Sequence, residues 1–179
     1  MKPLALIAYI LNMMNGEIHG RIQLQKLIYF CKTYGTTVDA NYRLYIYGPY
    51  SQQVADSLQD GVMDDIFHES KGLISKGTEF DEYFTNLSEK NPLCPEQQEI
   101  LTDVLNTFGN MPSEQLEILA TTFFIYRQQK SLFGTEEQEI IIDKVRRAKS
   151  SRFTEEQIIS SYSKMKELCF PLMKKYLNV

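Results

Sequence analysis

Tyr42-Arg43-Leu44-Tyr45-Ile46-Tyr47-Gly48-Pro49-Tyr50-Ser51 is the stretch of sequence that decides the fold. Residues 42–47 are rich in aromatic and branched side chains, which is typical of a β-strand. Gly48-Pro49 interrupts that strand, and Ser51 is a common helix N-cap residue. Val54, Leu58 and Val62 then follow at helical spacing. The stretch therefore predicts a strand, a turn and a helix, with Gly48, Pro49 and Ser51 as its structural residues.

Helical patterns precede this stretch, and a strand-like pattern follows it. Apolar side chains recur at helical spacing in residues 4–14 and again in residues 24–31, where Gly20 and Gly35 flank the second run. After the third helix, the segments Gly72–Ile74 and Glu82–Leu87 have the outline of a β-hairpin. The order helix, helix, strand, helix, hairpin predicts a winged-helix-like module over residues 1–90.

Residues 91–179 have a different, helical character. Pro92 and Pro95 mark the boundary, because proline disfavours helix in the residue before it. Four apolar stripes follow, and the helices beginning at Thr135 and Thr154 both open with Thr-Glu-Glu-Gln, which fits a capping box. We expect a mainly α protein with a small β element (α+β), in which a C-terminal helical bundle packs on the winged-helix-like module. A separate C-terminal lobe remains the alternative.

The composition is that of an ordinary globular protein. The sequence is 43% hydrophobic and 23% charged, and its net charge is -4, which argues against a general affinity for nucleic acid. No apolar run approaches the roughly 20 residues that a membrane span needs, and the three cysteines have no metal-binding or disulfide spacing. These features predict a cytoplasmic protein that binds no cofactor and no membrane.

The predicted third helix is acidic. Between Tyr50 and Glu69 there is no lysine or arginine, whereas Asp56, Asp60 and Asp64 recur every four residues. In a DNA-binding winged helix, the equivalent helix needs cations to meet the phosphates. The pattern therefore disfavours this mode of DNA binding and indicates either a solvated face or a surface for a basic partner.

One basic cluster is a candidate anion site. It consists of Arg146, Arg147, Lys149 and Arg152. Cations at a helix C-terminus also complement the helix dipole, so a purely structural role is the simpler explanation. If the protein is a winged-helix nucleic-acid-binding regulator, which is the alternative function, these residues are the first candidates for contacts with phosphate.

No catalytic motif is present. The sequence has no nucleophile elbow, no phosphate-binding loop and no zinc-protease motif. Asp64, Asp65 and His68 could share one helix face around a divalent metal, but three such residues arise easily by chance on a polar helix. We therefore predict that the protein is not an enzyme and has no metal site, with an unrecognised hydrolase or nuclease as a third alternative.

The tyrosines of the opening stretch are the most suggestive cluster. Along a strand, Tyr45 and Tyr47 share one face with Arg43, and Tyr42 lies on the other. One set is expected in the core, and the other could form a contact surface, because tyrosine offers a large area at little cost in entropy.

Several short motifs resemble one protein family. Leu24-Gln25-Lys26-Leu27-Ile28-Tyr29 resembles the "LQKLIY" helix of YwgA-like proteins and of the wider SocA/Panacea antitoxin superfamily, and Tyr47–Ser51 resembles their "YGPYS" junction. The segments Leu116–Thr121 and Phe153–Ile158 resemble later helices of the YwgA-like branch. The order and spacing of the motifs carry the resemblance more than any one of them does.

The resemblance implies a small, mostly helical protein that either neutralises a toxin by direct binding or delivers it to a protease. We therefore expect a non-catalytic protein-interaction module of bacterial or phage origin whose partner is a protein, with self-association as a homodimer left open. The candidate partner-binding residues are Gln25, Arg43, Tyr45, Tyr47, Tyr50 and Asp56.

Overall fold

The computed structural model describes residues 1–177. Its helices are α1 (Pro3–Met13), α2 (Gly20–Thr33), α3 (Gln52–Met63), α4 (Phe80–Lys90), α5 (Pro95–Phe108), α6 (Ser113–Phe133), α7 (Gln138–Lys149) and α8 (Glu155–Tyr176). Its strands are β1 (Glu17–Ile18), β2 (Arg43–Tyr45), β3 (Gly48–Tyr50), β4 (Phe67–Ser70) and β5 (Leu73–Lys76). The fold is mainly helical with a small β component, as the sequence predicts. No helix among these residues is both long enough and apolar enough to cross a membrane.

The strands form two small antiparallel sheets. One sheet has the order β1-β5-β4, and its central strand is anchored by Ile74, which is fully buried and lies opposite Ile18 of β1. The tight turn between β4 and β5 is made by Lys71 and Gly72, both with positive φ. The second sheet is the β2–β3 hairpin, in which Arg43 lies opposite Tyr50 and Tyr45 lies opposite Gly48. The predicted strand over residues 42–47 is therefore shorter, and the chain turns back at Ile46 and Tyr47.

A hairpin follows α3 as predicted, but its two strands are β4 and β5, and residues 82–87 are not one of them. Leu73 lies in a strand as expected, but it pairs with β4, and the segment Glu82–Leu87 lies inside α4. The physical reason is the spacing of the aromatic residues: Phe80 and Phe84 are one helical turn apart and stack with ring centroids 5.6 Å apart. Phe84 also packs edge-on against Tyr9 of α1 at 5.4 Å. The prediction of a strand at residues 82–87 is wrong.

The four predicted C-terminal helices are present as α5 to α8, and α6, α7 and α8 pack against one another. Only one of the two predicted capping boxes exists. Thr154 accepts from the amide of Gln157, and the Gln157 side chain accepts from the amide of Thr154, so α8 has a complete box. The helix after Thr135 begins later, at Gln138, and the Thr135 hydroxyl accepts only from the amide of Glu137 at 3.3 Å.

An aromatic core joins the two halves of the chain. Phe30 of α2 stacks on Phe108 of α5 with ring centroids 4.0 Å apart and lies 6.0 Å from Phe123 of α6. Tyr34 at the end of α2 donates to the backbone carbonyl of Cys169 in α8. Helices α5 and α6 therefore pack directly on α2, which in turn contacts the β2–β3 hairpin, and α8 is bonded to the end of α2.

Candidate functional site

The β2–β3 hairpin presents its turn to solvent. Tyr45, Ile46 and Tyr47 are 63%, 61% and 44% exposed, and we call these three side chains the hairpin surface. Large apolar side chains grouped at an exposed turn are uncommon on a protein that has no partner. Beside them, the rings of Tyr45 and Tyr50 lie 5.7 Å apart across the two strands, so the aromatic surface continues along the hairpin.

The other side of the hairpin is held by polar side chains of α2. The Gln25 amide donates to the carbonyl of Ser51 at 2.9 Å and accepts from its N–H at 3.0 Å, as a neighbouring strand would. Lys26 donates from its ammonium to the carbonyl of Pro49 at 2.8 Å. Both side chains are buried, so these bonds form away from competing water.

A buried charge network lies under the turn. Glu117 of α6 is fully buried and accepts from Lys149 of α7 at 2.6 Å and from two nitrogens of Arg152 at 3.2 Å. Lys149, which is 1% exposed, also donates to the carbonyl of Ile46 at 2.6 Å. With Lys26, these three residues form what we call the charge network, and it satisfies hairpin carbonyls that strand pairing leaves free.

The charge network contains three cations and one carboxylate, and the pKa values of its two lysines are lowered. Burial lowers the pKa of Lys26 to about 7, the carboxylate of Glu117 opposes this shift, and the charge of Lys149 adds to it. Burial also lowers the pKa of Lys149, against the stabilising hydrogen bond and charge of Glu117. Burial therefore makes both lysines lose their protons more readily than an exposed lysine does.

Gly48 allows the hairpin to approach α6 closely. Its φ is +86°, and a Cβ at this position would lie 2.6 Å from the hydroxyl of Thr121. Any larger residue would meet both a steric clash and an unfavourable backbone conformation. The glycine of the YGPYS motif is therefore explained by packing against α6, together with the turn itself.

The predicted acidic face lies next to the hairpin. Asp56, Asp60 and Asp64 line one groove of about 550 Å³ along α3, together with Asp39 and one cation, Lys2. Asp56 also lines a second groove of about 610 Å³ together with Arg43, Tyr45 and Tyr50. The structure thus places an aromatic surface beside a negatively charged one.

Most of the predicted partner-binding residues are accessible, but one is not. Arg43, Tyr45, Tyr47 and Asp56 are exposed, and Tyr50 is half-buried. Gln25 is only 5% exposed, and its side-chain amide bonds both peptide groups of Ser51, so it lies inside the protein and not on the accessible surface. This corrects the prediction for Gln25.

Ser51 has the predicted position but not the predicted interaction. It is the residue immediately before α3, yet its hydroxyl donates to the side chain of Gln53 at 3.0 Å and makes no capping bond to the helix backbone. The bonds that fix this helix start are instead those between the Ser51 peptide groups and Gln25.

The predicted basic cluster is divided among carboxylates and does not form one open anion site. Arg146 pairs with Glu155 at 2.6 Å, and Arg147 pairs with Asp143 at 2.8 Å. Lys149 is buried on Glu117, and Arg152 binds Glu117 while its guanidinium lies 4.6 Å from the centre of the Tyr47 ring. The cluster is therefore a set of ion pairs, two of which support the hairpin.

The metal hypothesis has no matching geometry in the described part of the chain. Within residues 1–177, no three His, Cys, Asp or Glu side chains lie close enough together to hold a metal ion. Asp64 and Asp65 follow α3, whereas His68 is carried away from them on β4.

Lys26, Glu117 and Thr121 support the hairpin, and sequence reasoning did not single them out. Each lies in one of the motifs that carry the family resemblance, and each is a polar residue beside apolar residues of its motif. That contrast is the signal that could have identified them. The three motifs meet at one place, since the α2 and α6 motifs both contact the YGPYS hairpin.

Comparison with known proteins agrees with this convergence. A search of curated proteins finds no match. The family model described as "Antitoxin SocA-like, Panacea domain" matches residues 24–122, from α2 through the hairpin into α6, which is more than half of the 179 residues. The chain belongs to the SocA-like antitoxin family with the Panacea domain.

Proposed function

We propose that this protein is a non-catalytic antitoxin that binds a protein toxin through the hairpin surface and the adjoining acidic face of α3. The observation that carries the proposal is the exposed trio Tyr45, Ile46 and Tyr47 on a hairpin anchored by buried hydrogen bonds and ion pairs. A surface that is ordered before binding loses less entropy when the partner arrives, so such anchoring favours affinity. Because the chain belongs to an antitoxin family, we propose a toxin as its protein partner.

The charges beside the hairpin indicate the chemistry of the partner. Asp56, Asp60 and Asp64 form a negative stripe with no cation within 4 Å in the described residues. A complementary partner would present basic side chains around an apolar patch, and the attraction would speed association. The same stripe would repel a phosphate backbone, which argues against nucleic acid as the partner.

The element order supports a winged-helix-like description of the N-terminal part. Three helices with a short strand after the first, followed by the β4–β5 hairpin, form the proposed module, and the β2–β3 hairpin is an addition between its second and third helices. In this proposal the added hairpin, and not the third helix alone, makes the contact with the partner.

The test is capture of the partner by hairpin variants. The tagged full-length protein would be recovered from lysate of its native host, and the bound proteins identified by mass spectrometry. Tyr45→Ser/Ile46→Ser should lose a partner that the wild type retains. Leu132→Ser/Phe133→Ser is the matched control, because it removes two exposed apolar side chains from the far end of α6 and should leave binding unchanged.

The antitoxin part of the proposal needs a second readout. The captured protein should arrest growth when expressed alone, and co-expression of the wild type, but not of the hairpin variant, should restore growth. A captured protein that is harmless alone would contradict the antitoxin role, and equal capture by both variants would contradict the hairpin contact.

A further inference from the structure

A separate pocket of about 400 Å³ lies between α2 and α6. From α2 it is lined by Tyr29, Lys32 and Thr33, an aromatic residue followed by a cation at i+3 and a hydroxyl at i+4. These spacings place the three side chains on one face of the helix. The pocket contains no residue of the hairpin surface or of the charge network.

Helix α6 contributes the same arrangement from the opposite wall. Phe124 is followed by Arg127 at i+3 and by Gln128 at i+4, and all three line the pocket. Two aromatic rings and two cations therefore face one cavity, each pair divided between two packed helices. The pocket therefore offers a ligand two cations and two aromatic rings, and not one isolated surface cation.

The two cations have unused hydrogen-bonding capacity. Lys32 donates to the carbonyl of Val38 at 3.0 Å, and Arg127 donates to the hydroxyl of Thr33 at 3.2 Å. In residues 1–177 neither has a carboxylate within 4 Å, and no acidic residue lines the pocket. An ammonium has three N–H donors and a guanidinium has five, so most of the donors are available to an anion.

Aromatic rings form the apolar part of the pocket. Tyr29 is 4% exposed, and its ring packs against Tyr42 at 5.3 Å and against Phe124 at 6.0 Å. Tyr42 is itself fixed, because its hydroxyl donates to the carbonyl of Gln25. The result is a wall suited to a flat ring, because ring faces and edges pack favourably on one another.

We propose that the α2–α6 pocket binds a small planar organic anion, a flat ring bearing a carboxylate or a phosphate group. The ring packs against Tyr29, Tyr42 and Phe124, while Lys32 and Arg127 bind the anionic oxygens. The cavity volume lies within the range of small-molecule sites. No residue of the hairpin surface lines this pocket, so its ligand can be tested separately from the contact of the hairpin with a toxin.

Isothermal titration calorimetry of the full-length protein tests this proposal with defined probes. Adenosine monophosphate supplies a ring with a phosphate, and 4-hydroxybenzoate supplies a ring with a carboxylate. Adenosine and 4-hydroxybenzamide are their uncharged counterparts, and inorganic phosphate supplies the charge without a ring. At least one ring-bearing anion should bind saturably. Its uncharged counterpart and free phosphate should each bind with an affinity at least about tenfold lower, or not at all.

Variants locate the binding. Lys32→Gln and Arg127→Gln should each weaken the successful probe about tenfold, because each removes a charge-assisted hydrogen bond, and Phe124→Leu should weaken it by removing a ring. Lys164→Gln, which removes an exposed cation on α8, should have no effect. Circular dichroism of each variant confirms that the fold is retained. Absence of binding by both ring-bearing anions at millimolar concentration, or binding that survives both charge substitutions, would overturn the proposal.

Discussion

Lys26 is a buried cation whose ionisation differs between the folded and unfolded chain. Burial lowers its folded pKa to about 7, from an ordinary value of 10.5. Between these two values the unfolded chain binds the proton more strongly than the folded protein does. The free energy of unfolding therefore rises with pH across this window, and the full cost of burying the charge is present below pH 7.

We predict that Lys26→Met removes this pH dependence. Relative to the variant, the wild type should gain about 2 kcal/mol of unfolding free energy between pH 7 and pH 9, given about 1.4 kcal/mol per pH unit for one proton. Urea denaturation of the wild type and the variant at several pH values measures the difference in their unfolding free energies. Lys90→Met, at an exposed position, is the control. A difference that does not vary with pH would show that Lys26 keeps an ordinary pKa.

The misassigned residue Gln25 shows where sequence reasoning reaches its limit at this scale. Although Leu44 and Ile46 on the other face of the strand are exposed as well, so that the expected alternation of burial fails, the exposure of Tyr45 and Tyr47 follows from a local pattern, a short strand and its turn. The role of Gln25 does not, because α2 is buried on nearly all its faces from Gln23 to Cys31. On such a helix a polar side chain can point to any neighbour, and its partner, Ser51, lies 26 residues away along the chain.

At the scale of elements, the β2–β3 hairpin depends on Gly48, and Gly72 provides a matched comparison. Both glycines have positive φ, +86° and +78°. A Cβ at Gly72 would meet nothing within 4 Å, whereas one at Gly48 would lie 2.6 Å from Thr121 Oγ1. Gly72→Ala should therefore cost about 1 kcal/mol, from the backbone alone, and Gly48→Ala should cost at least about 1 kcal/mol more, from the clash.

A double-mutant cycle identifies the cause of the extra cost. Thr121→Ala removes the hydroxyl that the new Cβ would meet, so Gly48→Ala should be less destabilising in the Thr121→Ala background by about 1 kcal/mol. Chemical denaturation of the four proteins gives the coupling free energy. If the two changes in unfolding free energy are additive, the Cβ at residue 48 does not clash with Thr121, and the extra cost has another cause.

The two Thr-Glu-Glu-Gln segments are a second comparison between elements of identical sequence. Thr154 caps α8 in a complete capping box, whereas Thr135 lies outside α7. We expect Thr154→Ala to lower the free energy of unfolding by about 1 kcal/mol and Thr135→Ala to lower it by less than about 0.5 kcal/mol. Thermal or urea denaturation checks both. Equal losses would contradict the late start of α7.

These elements show which features of the fold were predictable. Helices with long apolar stripes and clear breaks, such as α1, α2 and α3, follow from the sequence. The segment Glu82–Leu87 does not, because its aromatic and β-branched residues fit a strand as well as a helix over so short a span. Contacts of Phe84 with Phe80 and Tyr9 decide the outcome, and Tyr9 is distant in sequence. The capping motif at Thr135 fails for a similar reason, since a four-residue pattern does not fix where a helix begins.

At the scale of the whole molecule, the β2–β3 hairpin is supported by residues from both halves of the chain. Lys26 of α2 and Glu117 of α6 lie within the segment that matches the family model, whereas Lys149 and Arg152 lie beyond it. Within residues 1–177, the carbonyl of Ile46 accepts its hydrogen bond from Lys149, in that later segment. We infer that the C-terminal helices complete the support of the hairpin, so that the matched segment alone would present it less rigidly.

This dependence predicts that the protein unfolds as one unit. The ring of Phe30 is covered by Phe108 and Phe123, both from the second half, and without them α2 would expose its aromatic face. We expect thermal unfolding of the full chain to give one transition that coincides by far-UV circular dichroism and by tyrosine near-UV signal. The fragment of residues 1–90 should show no cooperative transition, because it loses this aromatic packing and leaves the Ile46 carbonyl without Lys149. A fragment that unfolds cooperatively would instead establish residues 1–90 as a domain that folds independently and presents the hairpin without α6 and α7.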